Sequence, residues 1–285
     1  MKKNPSKAKS ALAKGHKKIQ ENEKSYNEDM NCPICHEPFI HEGRTFRCKN
    51  NHSFDQARQG YVNLSRKQKA SGDNALMVKA RTAFLEAGLY DFLRQAVLEK
   101  LKQLKPDVYL DLGCGQGYYT QVFATAAKHA YGIDLSTPAI AHAAGQDKKS
   151  QYIVGSIYDL PFANQSIDVE TSIFTPIPAK EAARTLKDDG VLITVTPGAM
   201  HHYQLKEQLY DKVRLNPPLK PIEGFELVDQ TEITSLQHVD DVMALLEMTP
   251  YYYRTPKAGI EKIKSLKDGL DVTFDFVLSV WRKKV

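Results

Sequence analysis

Three of the four cysteines and one histidine fall in a single short stretch, as Cys32-Pro-Ile-Cys35 and Cys48-Lys-Asn-Asn-His52, a C-x2-C-x12-C-x3-H spacing. Two ligands separated by two residues can both point into one tight turn. A second such pair, returning on a neighbouring strand, completes a tetrahedron of three thiolates and one imidazole, a donor set that Zn²⁺ favours. Gly43, between apolar Phe39-Ile40 and Phe46, supplies the hairpin turn that would bring the pairs together. With four protein ligands no position stays open for water, so the metal is expected to be structural. It would supply what so small a module lacks in hydrophobic core. His36 and His41 are rival ligands; His52 is preferred because it mirrors the geometry of the first pair. A Cys32–Cys35 disulfide is the other reading, and no thioredoxin-like pattern surrounds it.

A second constellation is Tyr109-Leu-Asp111-Leu-Gly113-Cys114-Gly115-Gln116-Gly117-Tyr118, an apolar strand running into a glycine-rich turn. Glycines at such a turn let the backbone approach a ligand, and a following helix offers free N–H donors. The loop reads G-x-G-x-G with an Asp two residues ahead, which differs from the G-x-G-x-x-G of dinucleotide sites. Asp134 ends the next strand, where a carboxylate can accept both hydroxyls of a ribose. This D-x-G-x-G-x-G with its acidic partner resembles the first two motifs of class I S-adenosylmethionine methyltransferases, with an NAD-type oxidoreductase as the rival. Cys114 reads as a small packed side chain.

The elements that must position these groups follow from hydrophobic periodicity. Residues 79–104 form an amphipathic helix, or two interrupted at Gly88. Strands are expected at Val108–Leu112, 130–133, Gln151–Val154, 167–174 and 191–195. Helices are expected over 117–128, 137–145 and 178–187. This alternation predicts an α/β fold with a mostly parallel, Rossmann-like sheet; the motif resemblance implies that it is a class I methyltransferase sheet, preceded by the small N-terminal zinc-binding module. Two long strands, 225–236 and 272–281, flank helical 239–248 and 256–266 and suit an antiparallel closing hairpin at the sheet edge.

Composition sets the outer limits. The 285 residues carry Lys+Arg 39 against Asp+Glu 34, a net charge of +5, with 42% hydrophobic and 26% charged residues, as in an ordinary globular protein. No apolar run reaches membrane-spanning length, and no apolar segment follows the basic amino terminus as in a secretory signal. Four cysteines exclude a disulfide-dense scaffold, so a cytoplasmic protein is the default. Residues 1–28 read as a disordered basic arm, 29–65 as the Cys3His zinc-binding domain, and 66–285 as the methyltransferase domain with a linker at 66–78. The lysines of the arm suit phosphate attraction or simple solubility. Arg44, Arg47 and Lys49 would give the zinc module a basic face.

Taken together, the halves resemble the RlmA family of large-subunit rRNA guanine-N1 methyltransferases. The likeness runs through Phe54-Asp55, Ala57-Arg58, Gly60-Tyr61-Val62-Asn63-Leu64, Ala80-Arg81, Phe84-Leu85, Asp111 to Thr120, Leu160-Pro161-Phe162, Thr196-Pro197-Gly198 and Met248-Thr249-Pro250. It covers about 30–285. The resemblance implies S-adenosylmethionine as cofactor, a 23S rRNA hairpin as substrate, a zinc module that helps recognise it, and a homodimer. Cofactor contacts implied by the two readings are Tyr90, Asp111, Gly113, Gly115, Gln116, Gly117, Asp134 and His201. Gln116 stands where a Glu is common, and Ser156 where class I enzymes often carry an Asp. Guanine N1 must be unpaired or flipped out, and its proton must go somewhere. His201 and Tyr203 are the nearest candidate bases by topology, with solvent as the alternative. Tyr251-Tyr252-Tyr253-Arg254 reads either as a base-stacking platform or as packing. Methylation of tRNA or protein, and RNA binding without catalysis, are the competing functions.

Overall fold

The computed structural model describes residues 25–65, 75–249 and 251–284. Four short antiparallel strands come first: β1 (Ser25–Asn31), β2 (Pro38–Glu42), β3 (Thr45–Cys48) and β4 (Ser53–Asp55), paired in that order. Gly43, in the left-handed region at φ 65°, makes the β2–β3 turn. Strand β1 begins inside the stretch read as a basic arm. Ser25, Tyr26 and Asn27 pair with His41, Ile40 and Phe39, and such a ladder needs only backbone groups, so composition gave no sign of it. The residues before 25 lie outside the described part of the chain.

The large sheet has eight strands in the order β11-β12-β10-β9-β6-β7-β8-β5. Its members are β5 (Val62–Asn63), β6 (Val108–Leu112), β7 (His129–Asp134), β8 (Gln151–Val154), β9 (Ile167–Ile173), β10 (Leu186–Pro197), β11 (Phe225–Val239) and β12 (Leu270–Lys283). All pairings are parallel except those of β12, which runs antiparallel to β10 and β11. The fully buried pattern of β6 suits a central parallel strand. Between the strands lie α1 (Ala75–Glu86), α2 (Asp91–Leu104), α3 (Thr120–Phe123), α4 (Thr137–Gln146), α5 (Ala179–Thr185), α6 (Tyr203–Leu209), α7 (Val242–Met248) and α8 (Lys257–Lys264). Gly88 (φ 85°) does separate α1 from α2. Helix α1 starts within the span assigned to a linker.

Two expectations are corrected. The helix anticipated over 117–128 shrinks to α3 and a 3-10 turn at Ala124–Ala126, because Gly117 is left-handed (φ 81°) and Ala127 is already extended. Strand β5 lies in the segment assigned to the zinc module yet pairs with β8, Val62 opposite Ile153. At the module's other end, Asn31 N–H donates to Pro161 O at 2.9 Å and Met30 bridges to Phe162. Fully buried Met30, Phe39 and Phe46 therefore share one core with Leu110, Ile133 and Ile153.

One buried carboxyl carries a stability prediction. Glu170, in the middle of β9, is fully buried; its Oε1 accepts from Thr185 Oγ1 at 2.5 Å, and its Oε2 has no partner. Burial pushes this carboxyl up to about 8 from its usual 4.5. The folded chain keeps a proton that the unfolded chain releases, so this group draws stability down as pH rises from about 4.5 to about 8. Glu170→Gln preserves the shape and is expected to flatten that decline. Urea-unfolding midpoints of both proteins across this pH range will show it.

Candidate functional site

The Cys32, Cys35 and Cys48 thiols and the His52 ring nitrogen all lie within 4.8 Å of one another. Cys32 Sγ and Cys48 Sγ are each 3.5 Å from His52 Nδ1, and Cys35 Sγ is 3.6 Å from Cys48 Sγ. A zinc tetrahedron with bonds of about 2.0–2.3 Å has edges of about 3.5–3.8 Å, so the four groups fit the metal as they stand. Ile34 N–H donates to Cys32 Sγ at 3.4 Å, an outer contact that favours the thiolate. The rival histidines stand apart. His36 is exposed, and His41 stacks on Phe46 with ring centroids 4.4 Å apart. The expected basic face is largely engaged within the module: Arg44 donates to the Gln56 and Ala57 carbonyls, Arg47 lies 3.9 Å from Glu42, and Lys49 pairs with Glu37 at 2.7 Å.

The glycine loop follows β6 and lies beside the end of β7. Gly113 (φ 68°) has no room for a side chain, since a Cβ there would collide with the Thr175 hydroxyl group. At Gly115 (φ 53°) the added atom would meet only open space, which leaves the backbone bare for a ligand. Asp134 fixes this loop: Oδ2 accepts from Gly115 N–H at 3.0 Å and Oδ1 from Ser136 N–H at 2.7 Å. A carboxylate oxygen can accept more than one hydrogen bond, so the group that braces the loop is also of the type that takes a hydroxyl. Behind the loop, Asp111 is buried, with Oδ2 accepting from Thr120 Oγ1 at 2.6 Å and Oδ1 from Thr171 Oγ1 at 2.8 Å. Burial pushes its carboxyl up to about 6 against the pull of these two hydroxyls. Asp111 thus ties α3 to β9 beneath the loop and does not line the cavity, and Gly117 packs against Ala143 and Tyr152. Helix α2 is pinned to the loop in turn, as Tyr118 donates to Asp91 at 2.7 Å and stacks beneath Arg94.

The loop opens into a cavity of about 760 Å³. Of the sequence-predicted residues, Tyr90, Gly113, Gly115, Gln116, Asp134 and His201 line it, and Tyr203, on α6, does not. His201 is buried, and burial lowers its ring to about 3. Its Nδ1 accepts the Asp275 backbone N–H at 3.2 Å, which leaves the hydrogen of the neutral ring on Nε2. The free nitrogen of His201 is therefore a donor. The tyrosine run divides: Tyr251 and Tyr253 line the cavity, while Tyr252 packs on the core. Phe174, in the left-handed region at φ 55° and 42% exposed, presents its ring to the same space.

Sequence reasoning assigned no site role to His202, Arg81 or Glu247, which also line the cavity. His202, beside the predicted His201, is left-handed (φ 58°) and buried, and neither of its ring nitrogens has a partner. Its position just after Thr196-Pro197-Gly198 was the available signal. Arg81 and Glu247 come from α1 and α7, which pack together although distant in sequence, and no local spacing marks them.

An α/β sheet with one antiparallel strand near its edge, a glycine turn after the first central strand and an acid ending the next define a class I methyltransferase. A methyltransferase-domain family model matches residues 110–194, and the model of the RlmA N-terminal zinc ribbon matches 30–71. The 23S rRNA (guanine(748)-N(1))-methyltransferase of Streptomyces fradiae is 30% identical over 271 residues, spanning 89% of this chain and 96% of that protein. A provisionally named 23S rRNA (guanine-N(1)-)-methyltransferase of Micromonospora griseorubida is 33% identical over 287 residues, 89% and 97% of the two chains. The chain belongs to the RlmA family.

Proposed function

We propose that this protein transfers the methyl group of S-adenosylmethionine to N1 of a guanine in a hairpin loop of 23S rRNA. The observation that carries the reading is one cavity in which the Asp134-braced glycine loop faces aromatic Phe174, Tyr251 and Tyr253. Its size lies within the range of small-molecule sites and leaves it open to a splayed-out base. The cofactor-holding residues in this reading are Asp134 for the ribose, the backbone of Gly113 and Gly115, and Tyr90, Gln116 and His201 around them. The bound cofactor supplies an activated methyl group. The chain's task is to hold the base nitrogen in line with it and exclude competing nucleophiles. Phe174 stacks on the extruded base, and the zinc module grips the hairpin. Homodimer assembly and a cytoplasmic location belong to the same proposal; among the described residues no helix is long and apolar enough to cross a membrane.

Incubation with S-adenosylmethionine and unmodified large-subunit rRNA, followed by nucleoside mass spectrometry, is expected to give 1-methylguanosine. A reverse-transcriptase stop will mark the position. A methylated nucleoside of another kind would overturn the acceptor assignment.

A further inference from the structure

Guanine N1 carries a proton at neutral pH, so its lone pair becomes available to a methyl carbon only when that proton leaves. Several groups of the cavity wall are poorly suited to accept it. Asp134 braces the glycine loop through both oxygens and, in the reading above, is turned to the ribose hydroxyls rather than to the base. His201 presents an N–H, since its other nitrogen accepts from Asp275. His202 has its nitrogens sealed from solvent within the wall, and burial lowers its ring well below the ordinary range. The Tyr90, Tyr118 and Tyr119 phenols are pushed far up by burial and serve as poor acceptors.

Glu247 is different. It stands in the last turn of α7, immediately before Met248 and Thr249, which also line the cavity. It is exposed and, among the described residues, accepts no hydrogen bond and joins no ion pair, so its carboxylate is available to a base entering the cavity. A carboxylate matches the donor edge of guanine, where N1–H and the N2 amino group lie side by side. Arg81 lines the same cavity from α1, the helix packed against α7. Removing the N1 proton spreads negative charge to O6, and a cation nearby favours that charge.

We infer that Glu247 is the general base of the methyl transfer, accepting the N1 proton of the target guanine, with Arg81 stabilising the charge that develops on O6. This rests on the guanine-N1 reading above. The N1–H bond breaks and its proton passes to a Glu247 oxygen. The electron pair left on N1 forms the bond to the methyl carbon. The pair of the broken carbon–sulfur bond stays on sulfur. The products are a neutral methylated base, a thioether and a carboxyl that returns its proton to solvent.

The test is single-turnover methylation of unmodified large-subunit rRNA by the full chain and by Glu247→Gln, measured against pH. Cofactor binding is followed by calorimetry and RNA binding by filter retention. Loss of a positioned base typically lowers the rate by about 100- to 10,000-fold. That loss is expected for Glu247→Gln, with both affinities retained. The variant's rate should then climb with each step in pH as guanine N1 ionises unaided, a dependence that the wild type does not share. A variant as fast as wild type at neutral pH, or one slowed with a pH profile of unchanged form, would overturn the assignment. Wild type forming 1-methylguanosine while Glu247→Gln is undiminished removes only the base. Wild type methylating a different atom removes the base and the acceptor reading together.

Discussion

Asp134→Ala is expected to abolish measurable S-adenosylmethionine binding while leaving the chain folded. The carboxylate has two tasks. It is the acceptor offered to the ribose hydroxyls, and hydrogen bonds to a charged group contribute about 1.5–3 kcal/mol each. Two of them amount to a loss of roughly 100- to 10,000-fold in affinity. It also holds the loop, because Gly115 and Ser136 N–H groups both donate to it and would lose their acceptors. The half-buried side chain lies at the end of β7, so its removal opens no large core cavity, and unfolding should shift little. Isothermal titration with S-adenosylmethionine is the measurement. Affinity equal to that of the wild type would mean that the ribose is held elsewhere.

The second large effect concerns the metal. Cys48→Ser, or a strong chelator applied to the intact chain, is expected to release one zinc ion per chain and unfold the β2–β3 hairpin with the loop carrying Cys32 and Cys35. Structural zinc contributes about 10–16 kcal/mol to small modules of this kind, far more than the few apolar contacts of Phe39, Phe46 and Phe54 can replace. Methylation of rRNA should fall to background in the same samples. Elemental analysis gives the metal count, and amide hydrogen exchange across residues 30–58 locates the unfolding. Protein purified without denaturant that holds no metal and is nevertheless protected over this span would sink the zinc assignment.

The difference between what was legible and what was not follows the distance between cooperating residues. The metal ligands come as two close pairs on one hairpin, so spacing alone identified them, including the choice of His52 over His36 and His41. The glycine turn and Asp134 were legible because each ends a strand of a simple alternating pattern. The break at Gly88 was legible for a similar reason. The far side of the cavity was not. It is assembled from α1, the loop after β10 and α7, which meet only in three dimensions. Nothing about Glu247 in a helix of ordinary apolar spacing announces a carboxylate on the cavity wall. Asp111 shows the converse, a motif residue whose position is conspicuous in sequence and whose oxygens are spent on two threonines beneath the loop. His202 and Phe174 illustrate a third limit, since left-handed backbone at a residue other than glycine is imposed by tertiary packing.

Strand β5 has a mechanical meaning. The chain leaves the ribbon through Val62–Asn63, Leu64 N–H then donates to Val154 O, and Val154 is the partner of Asp134 across β7 and β8. At the opposite end of the ribbon, Asn31 is fastened to Pro161. The ribbon is thus bolted to the sheet at two points, one of them a single strand away from the acid that braces the cofactor loop. Two separate attachments oppose a swivel that either one alone would allow. Under the proposed reading the ribbon acts as a fixed jig: an RNA seated on it would present to the cavity only the base lying at the correct span from the grip.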